Sequence, residues 1–446
     1  MGSLTAILAL VAAVACTEKL ENGIGCPSLC PDQNVAVLDT ILDVVLDAPG
    51  TGGDSASLDT VLAGFPGIGV ENTMLIADRT LNGVDTLRSY AIVRFDSLPR
   101  RFTRGGVDSA VYAADSVYLK IFVDTVSARR RVSGPVTLEV YDVDAGGTTA
   151  TDTMVSTLVP RFTAANLLGQ RTFTDAELRD SVKIFLDSAF VLGRLTAEGT
   201  TRIRIGIRAN AGGQPVQLRI GATSGSRGAE INYDPSPDTL VRPVRIVPYS
   251  AEPADIAGVQ NALRDFTIVV DPFRGEPAVL QVGGLPGRRA YLRFRIPSKI
   301  LDSATVIRAT LLLTQRPSPR AEASDTVTIQ PLVVLATPRL DVGRAASVLD
   351  FGNSFGLDSM RLVSRDSATR TLELINVVRG VVSTTGVFLP GWSQVPRVSQ
   401  QHALVFQSLR EAELPVEALF FSSEAPAAVR PRLRISYVPS TALGTR

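Results

Sequence analysis

The chain has 446 residues, 45% hydrophobic and 20% charged, a balance that belongs to globular proteins rather than disordered ones and predicts two or three domains. Forty-five basic side chains against 44 acidic ones leave a formal charge of +1, so no net field draws the protein to nucleic acid or to an anionic membrane face. One histidine, one tryptophan and three cysteines, at 16, 26 and 30, leave little from which to build a catalytic triad or a zinc site.

In chain order, residues 4–15 form an apolar run too short for a permanent bilayer span and suited to the core of a signal peptide over 1–15. The run stops at Ala13-Val14-Ala15-Cys16 and polar TEKLENG follows. This resembles the lipobox of bacterial lipoproteins, which implies lipidation of Cys16 and a tether over 16–35. It departs from that pattern in an n-region without Lys or Arg and in Ala13 where Leu is usual. The alternative is a plain secretory signal with an incidental cysteine. Cys26 and Cys30 have three residues between them, neither a CxxC pair nor half of a zinc site. In an exported protein they are candidates for a small local disulfide.

After the tether, NVAVLDTILDVVLDA (34–48) reads as one or two strands. Short runs of alternating Val, Ile, Tyr and Phe then recur between Gly, Pro, Asp and Ser, among them YAIVRF, DSVYLKIFV, PVTLEVYDV, TRIRIGIRA and PVQLRIGA. In TRIRIGIRA, Ile203, Ile205 and Ile207 are expected on a core face, with Arg202, Arg204 and Arg208 on a wet one. A segment with prolines at 237, 243, 248 and 253 reads as a linker over 236–254. Strands resume beyond it, including AYLRFRIP, VIRATLLLTQ, HALVFQSL, VEALFFSS and PRLRISYV.

The two stretches echo one another. YAIVRFDSLP (90–99) and AYLRFRIPS (290–298) both end an apolar strand in Arg-Phe before a proline. VYLKIFV then answers IRATLLLT, and TTRIRIGI answers QHALVFQSL. A strand-to-helix step is expected with Asp187 or Asn376 as the capping residue. Tyr233 answers Tyr437, at a spacing near two hundred residues. A duplicated unit is expected, with β-sandwich domains over 36–235 and 255–438 and a tail over 439–446.

AYLRFRIP, LELINVV, FFSSEA and RPRLRISY resemble the DNRLRE family, β-sandwich modules related to carbohydrate-binding jelly rolls on secreted and surface proteins. The first copy is degenerate, keeping RIGATSG and AEINY. The resemblance implies an all-β fold of two antiparallel, jelly-roll-like sandwiches. It specifies fold better than function.

Motifs for chemistry are sparse. His402 opens an apolar strand and reads as a rim residue. No G-x-S-x-G occurs, and no serine stands three before a lysine. GFPGIG lacks the spacing and lysine of a phosphate loop. Asp142 and Asp144 approach a glycine turn without the bidentate Glu of a calcium loop, so no metal and no cofactor is expected. The expectation is an exported, lipid-anchored, non-catalytic outer-membrane binding module, facing periplasm or surface, with polysaccharide the ligand class the resemblance implies. Trp392, on the Pro/Gly-rich LPGWSQVP, is the ligand-binding candidate, and a ring plugging the core is its rival. The rival function is a structural or adhesive surface protein whose sandwiches act as spacers or assemble with partners. Contact with the membrane through the anchor is expected, and none with nucleic acid.

Overall fold

The computed structural model describes residues 37–43, 58–63, 72–125, 130–144, 157–198, 202–238, 241–250, 264–270, 276, 278–285, 287–294, 296–334, 357–382, 402–411 and 413–439. Cys16, Cys26, Cys30 and Trp392 lie outside the described residues.

Two strands come first, β1 (Leu38–Asp43) and β2 (Leu58–Ala63). Then follow β3 (Thr73–Leu81), β4 (Asp85–Phe95), β5 (Arg101–Arg104), β6 (Val107–Ala110), β7 (Asp115–Phe122), β8 (Arg131–Val132) and β9 (Val136–Asp142). After these come β10 (Leu167–Phe173), β11 (Ser181–Phe185), β12 (Ile203–Asn210), β13 (Val216–Gly221) and β14 (Glu230–Asp234). Two short strands, β15 (Val244–Ile246) and β16 (Asp265–Val269), precede the last group. That group is β17 (Val279–Gly283), β18 (Arg288–Phe294), β19 (Ala304–Arg316), β20 (Thr326–Val334), β21 (Met360–Val363), β22 (Thr369–Glu373), β23 (His402–Ser408), β24 (Glu417–Phe421) and β25 (Arg432–Pro439). The helices are α1 (Ser188–Thr196), α2 (Ser298–Ser303) and α3 (Ile375–Val382).

Local sequence explains much of this. β-branched and aromatic residues at period two put Val117, Leu119 and Ile121 of β7 inside. Asn82-Gly83, both at positive φ, turn β3 back onto β4. The Asp187 carboxylate accepts from the Ala189 and Phe190 amides at 2.9 and 3.3 Å and starts α1. In the other half α3 begins at Ile375, so Asn376 sits inside the first turn rather than before it, a correction to the expected cap.

The fold is all-β, with antiparallel ladders joining the described strands. Sandwich 1 faces an eight-stranded sheet, order β10-β9-β12-β4-β3-β13-β8 with β16 on β4, against a second sheet, β11-β7-β14-β15. Among the described residues its core runs from Met74 to Ile246. Sandwich 2 repeats the plan within one eleven-stranded sheet that is continuous through the β19–β24 pairing: β21-β20-β23-β18-β17-β24 on one side, β22-β19-β25-β1 on the other, and β2 on β18. Its core runs from Leu280 to Ile435. Even the corner is repeated, because Val123 bridges to Ile220 as Gln315 pairs with Phe420.

Strand for strand, β15 and β16 in sandwich 1 take the places that β1 and β2 take in sandwich 2. The register agrees. Val244 lies opposite Tyr233 and Leu38 opposite Tyr437. Asp265 lies opposite Val93 and Asp59 opposite Leu292, each one residue before the Arg-Phe pair. From 38 to 244 and from 59 to 265 the offset is the same, 206 residues.

The expected domain bounds therefore shift. β1 and β2, assigned to a 36–235 domain, complete sandwich 2, and β16, assigned to 255–438, joins sandwich 1. The expected 236–254 linker includes β15, and Tyr249 bridges to Phe95. Proline bars a central strand but admits an edge one, and β15 is an edge strand flanked by Pro243 and Pro248.

The wet face of β12 is also corrected. Ile203, Ile205 and Ile207 are buried as expected, but Arg204 on the opposite face is only 2% exposed. Ile92, Tyr141, Leu158, Phe162, Phe266 and Ile268 cover that face as a second apolar cluster. Phe162 lies over Gly206 so closely that a β-carbon there would sit 2.3 Å from its ring. Only glycine leaves that space. No helix among the described residues is long and apolar enough to cross a membrane, which says nothing of strands.

Candidate functional site

The strand ending that opens the repeat is structural. Phe95 is fully buried, and Arg94, 2% exposed, places Nε 2.6 Å from an Asp96 carboxylate oxygen. The main chain of Arg94 receives the Tyr249 amide and donates to the Arg264 carbonyl, so the two segments that flank 251–263 clasp this strand. A buried guanidinium is tolerated because its charge is paired and its backbone satisfied.

Where the sandwiches meet, strand and turn residues build a polar seam around a cleft of about 740 Å³. Asn72, Asp124 and Arg219 line it from sandwich 1; Thr326 and Thr328 of β20, Arg361 of β21, Ser408, Arg410 and Glu413 line it from sandwich 2. Arg219 organises the floor. Its Nη1 is 3.0 Å from Asp124 and its Nη2 2.9 Å from Glu413, while Nε donates to Thr73 at 2.9 Å. The other Glu413 oxygen accepts the Asn72 amide at 3.0 Å. Burial lowers the Arg219 pKa against the pull of Glu413 and Asp124.

Beside the cleft the seam continues. Glu322 receives Arg79 at 2.9 Å and Arg131 at 2.7 Å. The Arg131 hydrogen bond, joined by that from Arg79, holds the Glu322 carboxyl below the usual range although burial opposes it. Arg320 bridges Asp85 of sandwich 1 and buried Glu417 of sandwich 2. Leu285 packs with Leu75, Ala77, Leu81, Leu87 and Val269 to give the seam an apolar patch.

The chemistry available in the cleft is ion pairing. Among the described residues no aromatic ring lines it, and the two carboxylates that do, Asp124 and Glu413, are engaged by Arg219. Arg361 and Arg410 at the rim are exposed and make no ion pair with a described residue. The rim is therefore cationic although the chain is almost neutral.

The residues singled out in the sequence fall elsewhere. His402 opens β23 opposite Phe294. Asp142 and Asp144 meet Arg194 and Arg202, at 3.2 Å and 2.8 Å for the nearer contacts, and so serve a salt-bridge cluster. Among the described residues no three His, Cys, Asp or Glu side chains gather as a metal site needs. The seam residues carried no signal in the sequence: Arg219 and Glu413 are 194 positions apart and no motif joins them.

No family model matches the chain, and no curated protein matches it. Among solved structures, one of the Macrobrachium rosenbergii nodavirus is 7% identical, covers 94% of this chain and 97% of its own, and has a TM-score of 0.16. The infectious bursal disease virus VP2 subviral particle is 8% identical over 84% and 79%, with a TM-score of 0.10. At such scores the likeness carries no argument.

Proposed function

We propose that the protein is an exported, lipid-anchored, non-catalytic envelope protein whose two sandwiches act together as a structural spacer. The observation that carries this reading is the crossing of strands. β1 and β2 precede sandwich 1 in the chain yet complete sandwich 2, and Glu322, Glu413 and Arg320 tie the same seam. Two sandwiches joined this way resist independent movement far better than beads on a linker. The first described strand after Cys16 is β1, which pairs with sandwich 2, so an anchor at Cys16 would be nearer in sequence to a strand of sandwich 2 than to any described strand of sandwich 1.

A second reading keeps polysaccharide binding, and the cationic rim of the cleft favours it. Arg361 and Arg410 would meet carboxylate or sulfate groups of an acidic glycan, for which guanidinium geometry suits bidentate contact. Trp392 remains the stacking candidate for that reading.

Membrane fractionation and a glycan array, both on the full chain, separate the two. The spacer reading expects a membrane-bound protein that Cys16→Ser releases, with no saturable glycan signal. Saturable binding of acidic glycans, lost in an Arg361→Ala/Arg410→Ala variant, would favour the second. Loss in Trp392→Ala with unchanged melting would place the ring in that site. Unchanged, detergent-requiring fractionation of Cys16→Ser would overturn the anchor.

A further inference from the structure

We propose that β1 and β2 form a donor pair that a second copy of this chain can supply to sandwich 2, joining neighbouring copies through the β25 and β18 positions. The pattern of the two repeats supports it. β16 leads into sandwich 2 but lies on sandwich 1; β2 leads into sandwich 1 but lies on sandwich 2. Each leading pair thus docks on a sandwich other than the one it leads into, at the same register, although the two pairs reach their acceptors along different paths of chain. The acceptor positions are defined by the ladder rather than by the connection that delivers the strand. An identical copy carries an identical pair.

The hold on β1 is light. Leu42 is half-buried against the core of sandwich 2, but Val37, Leu38 and Ile41 are 57, 41 and 54% exposed, so one apolar side chain does most to resist its departure. Its side-chain ties are Arg434 to Asp39 at 2.6 Å and Ser436 donating to the same carboxylate, both open to water, where such pairs contribute little. The main-chain hydrogen bonds of the ladder and the packing of Leu42 are contacts that a second copy offers unchanged. Pairing within one chain and between two makes the same contacts, and local concentration sets the balance. Confinement to a membrane surface raises that concentration, so the inference rests on the anchored reading. If exchange between copies fails while closure within one chain holds, the spacer stands, with β1 and β2 closing each chain on itself.

The test uses two full-length, differently tagged variants, Asp39→Cys and Ser436→Cys. The two residues face each other across the ladder with their side chains in contact, so cysteines there can bond. The variants are mixed at high concentration, warmed below the melting temperature and oxidised, beside mixtures of wild type with each variant as the background for the native cysteines. The expected result is a disulfide-linked pair bearing both tags, several-fold above that background. A double Asp39→Cys/Ser436→Cys variant closes within one chain. If it does so while the mixture yields no two-tag product, the donor role is overturned. If it fails to close, the β1–β25 pairing falls and the proposal falls with it.

Discussion

Sandwich 1 and sandwich 2 share a strand order but differ in how they are completed. Sandwich 1 is contiguous: every described strand on it lies between Thr73 and Val269. Sandwich 2 runs from Val279 to Pro439 and takes its last two positions from Leu38–Asp43 and Leu58–Ala63. The same architecture is thus local in one half and long-range in the other. The difference teaches that the repeat in sequence and the unit in space need not share boundaries. The chain repeats from β1 and again from β15, whereas the packed unit starts at β3 and again at β17. Long-range closure costs loop entropy that local closure does not, and in exchange it prevents the halves from parting.

Deleting residues 37–63 should have the largest effect, and an unequal one on the two halves. Sandwich 2 then loses a strand from each side and exposes the β25 and β18 edges, while sandwich 1 keeps its full complement. Calorimetry should show one transition fall by about 10 °C or more, since about 1 kcal/mol moves a domain of this size by about 2–4 °C. Hydrogen exchange should assign the loss to residues beyond 279. A uniform loss in both halves would contradict the description.

Gly206→Val acts in the opposite half. Its side chain would displace Phe162 from the outer face of β12, and overpacking of this kind costs about 1–3 kcal/mol. Chemical denaturation should detect that cost, with exchange rising around Tyr90, Tyr141 and Phe162 and not in sandwich 2.

Glu322→Gln sharpens the seam between them. It removes the carboxylate charge that Arg79 and Arg131 share, with an expected cost of about 1 kcal/mol at neutral pH. The folded Glu322 carboxyl sits below its ordinary value, so its contribution is present above the ordinary carboxylate range and disappears as pH falls through the lowered pKa. Stability curves of wild type and variant should therefore converge on acidification. A gap that stays constant down to pH 3 would show that the carboxylate charge is not the cause.

The smallest effect belongs to Asp39→Ala. Hydrogen bonds from Ser436 and Arg434 lower the Asp39 pKa, but the group is exposed to water. Thermal melts should differ little, and the remaining difference should vanish in high salt.

Much of this was legible beforehand. Alternation in TRIRIGIRA and VYLKIFV marks half-buried strands, and Arg94-Phe95 beside Arg293-Phe294 gives away the repeat. Register and partner choice were not legible, because nothing in LDTILD or RIVPYS states which ladder it joins. Pro243 and Pro248 look like breakers until an edge position for β15 is known. The outer face of β12 reads as wet because arginines alternate with isoleucines, and only the fold brings Phe162 over Gly206. The seam escaped for the same reason, since Glu322 meets Arg131 across 191 positions.

Strands of each repeat cross between the sandwiches. A protease site placed within 251–263 of the full chain tests this crossing directly. After cleavage β1 and β2 remain on the amino-terminal fragment but lie on sandwich 2, and β16 remains on the carboxy-terminal fragment but lies on sandwich 1. The account predicts that the nicked protein elutes as one particle under native conditions and separates only in denaturant. Two folded fragments that part on a sizing column would contradict it.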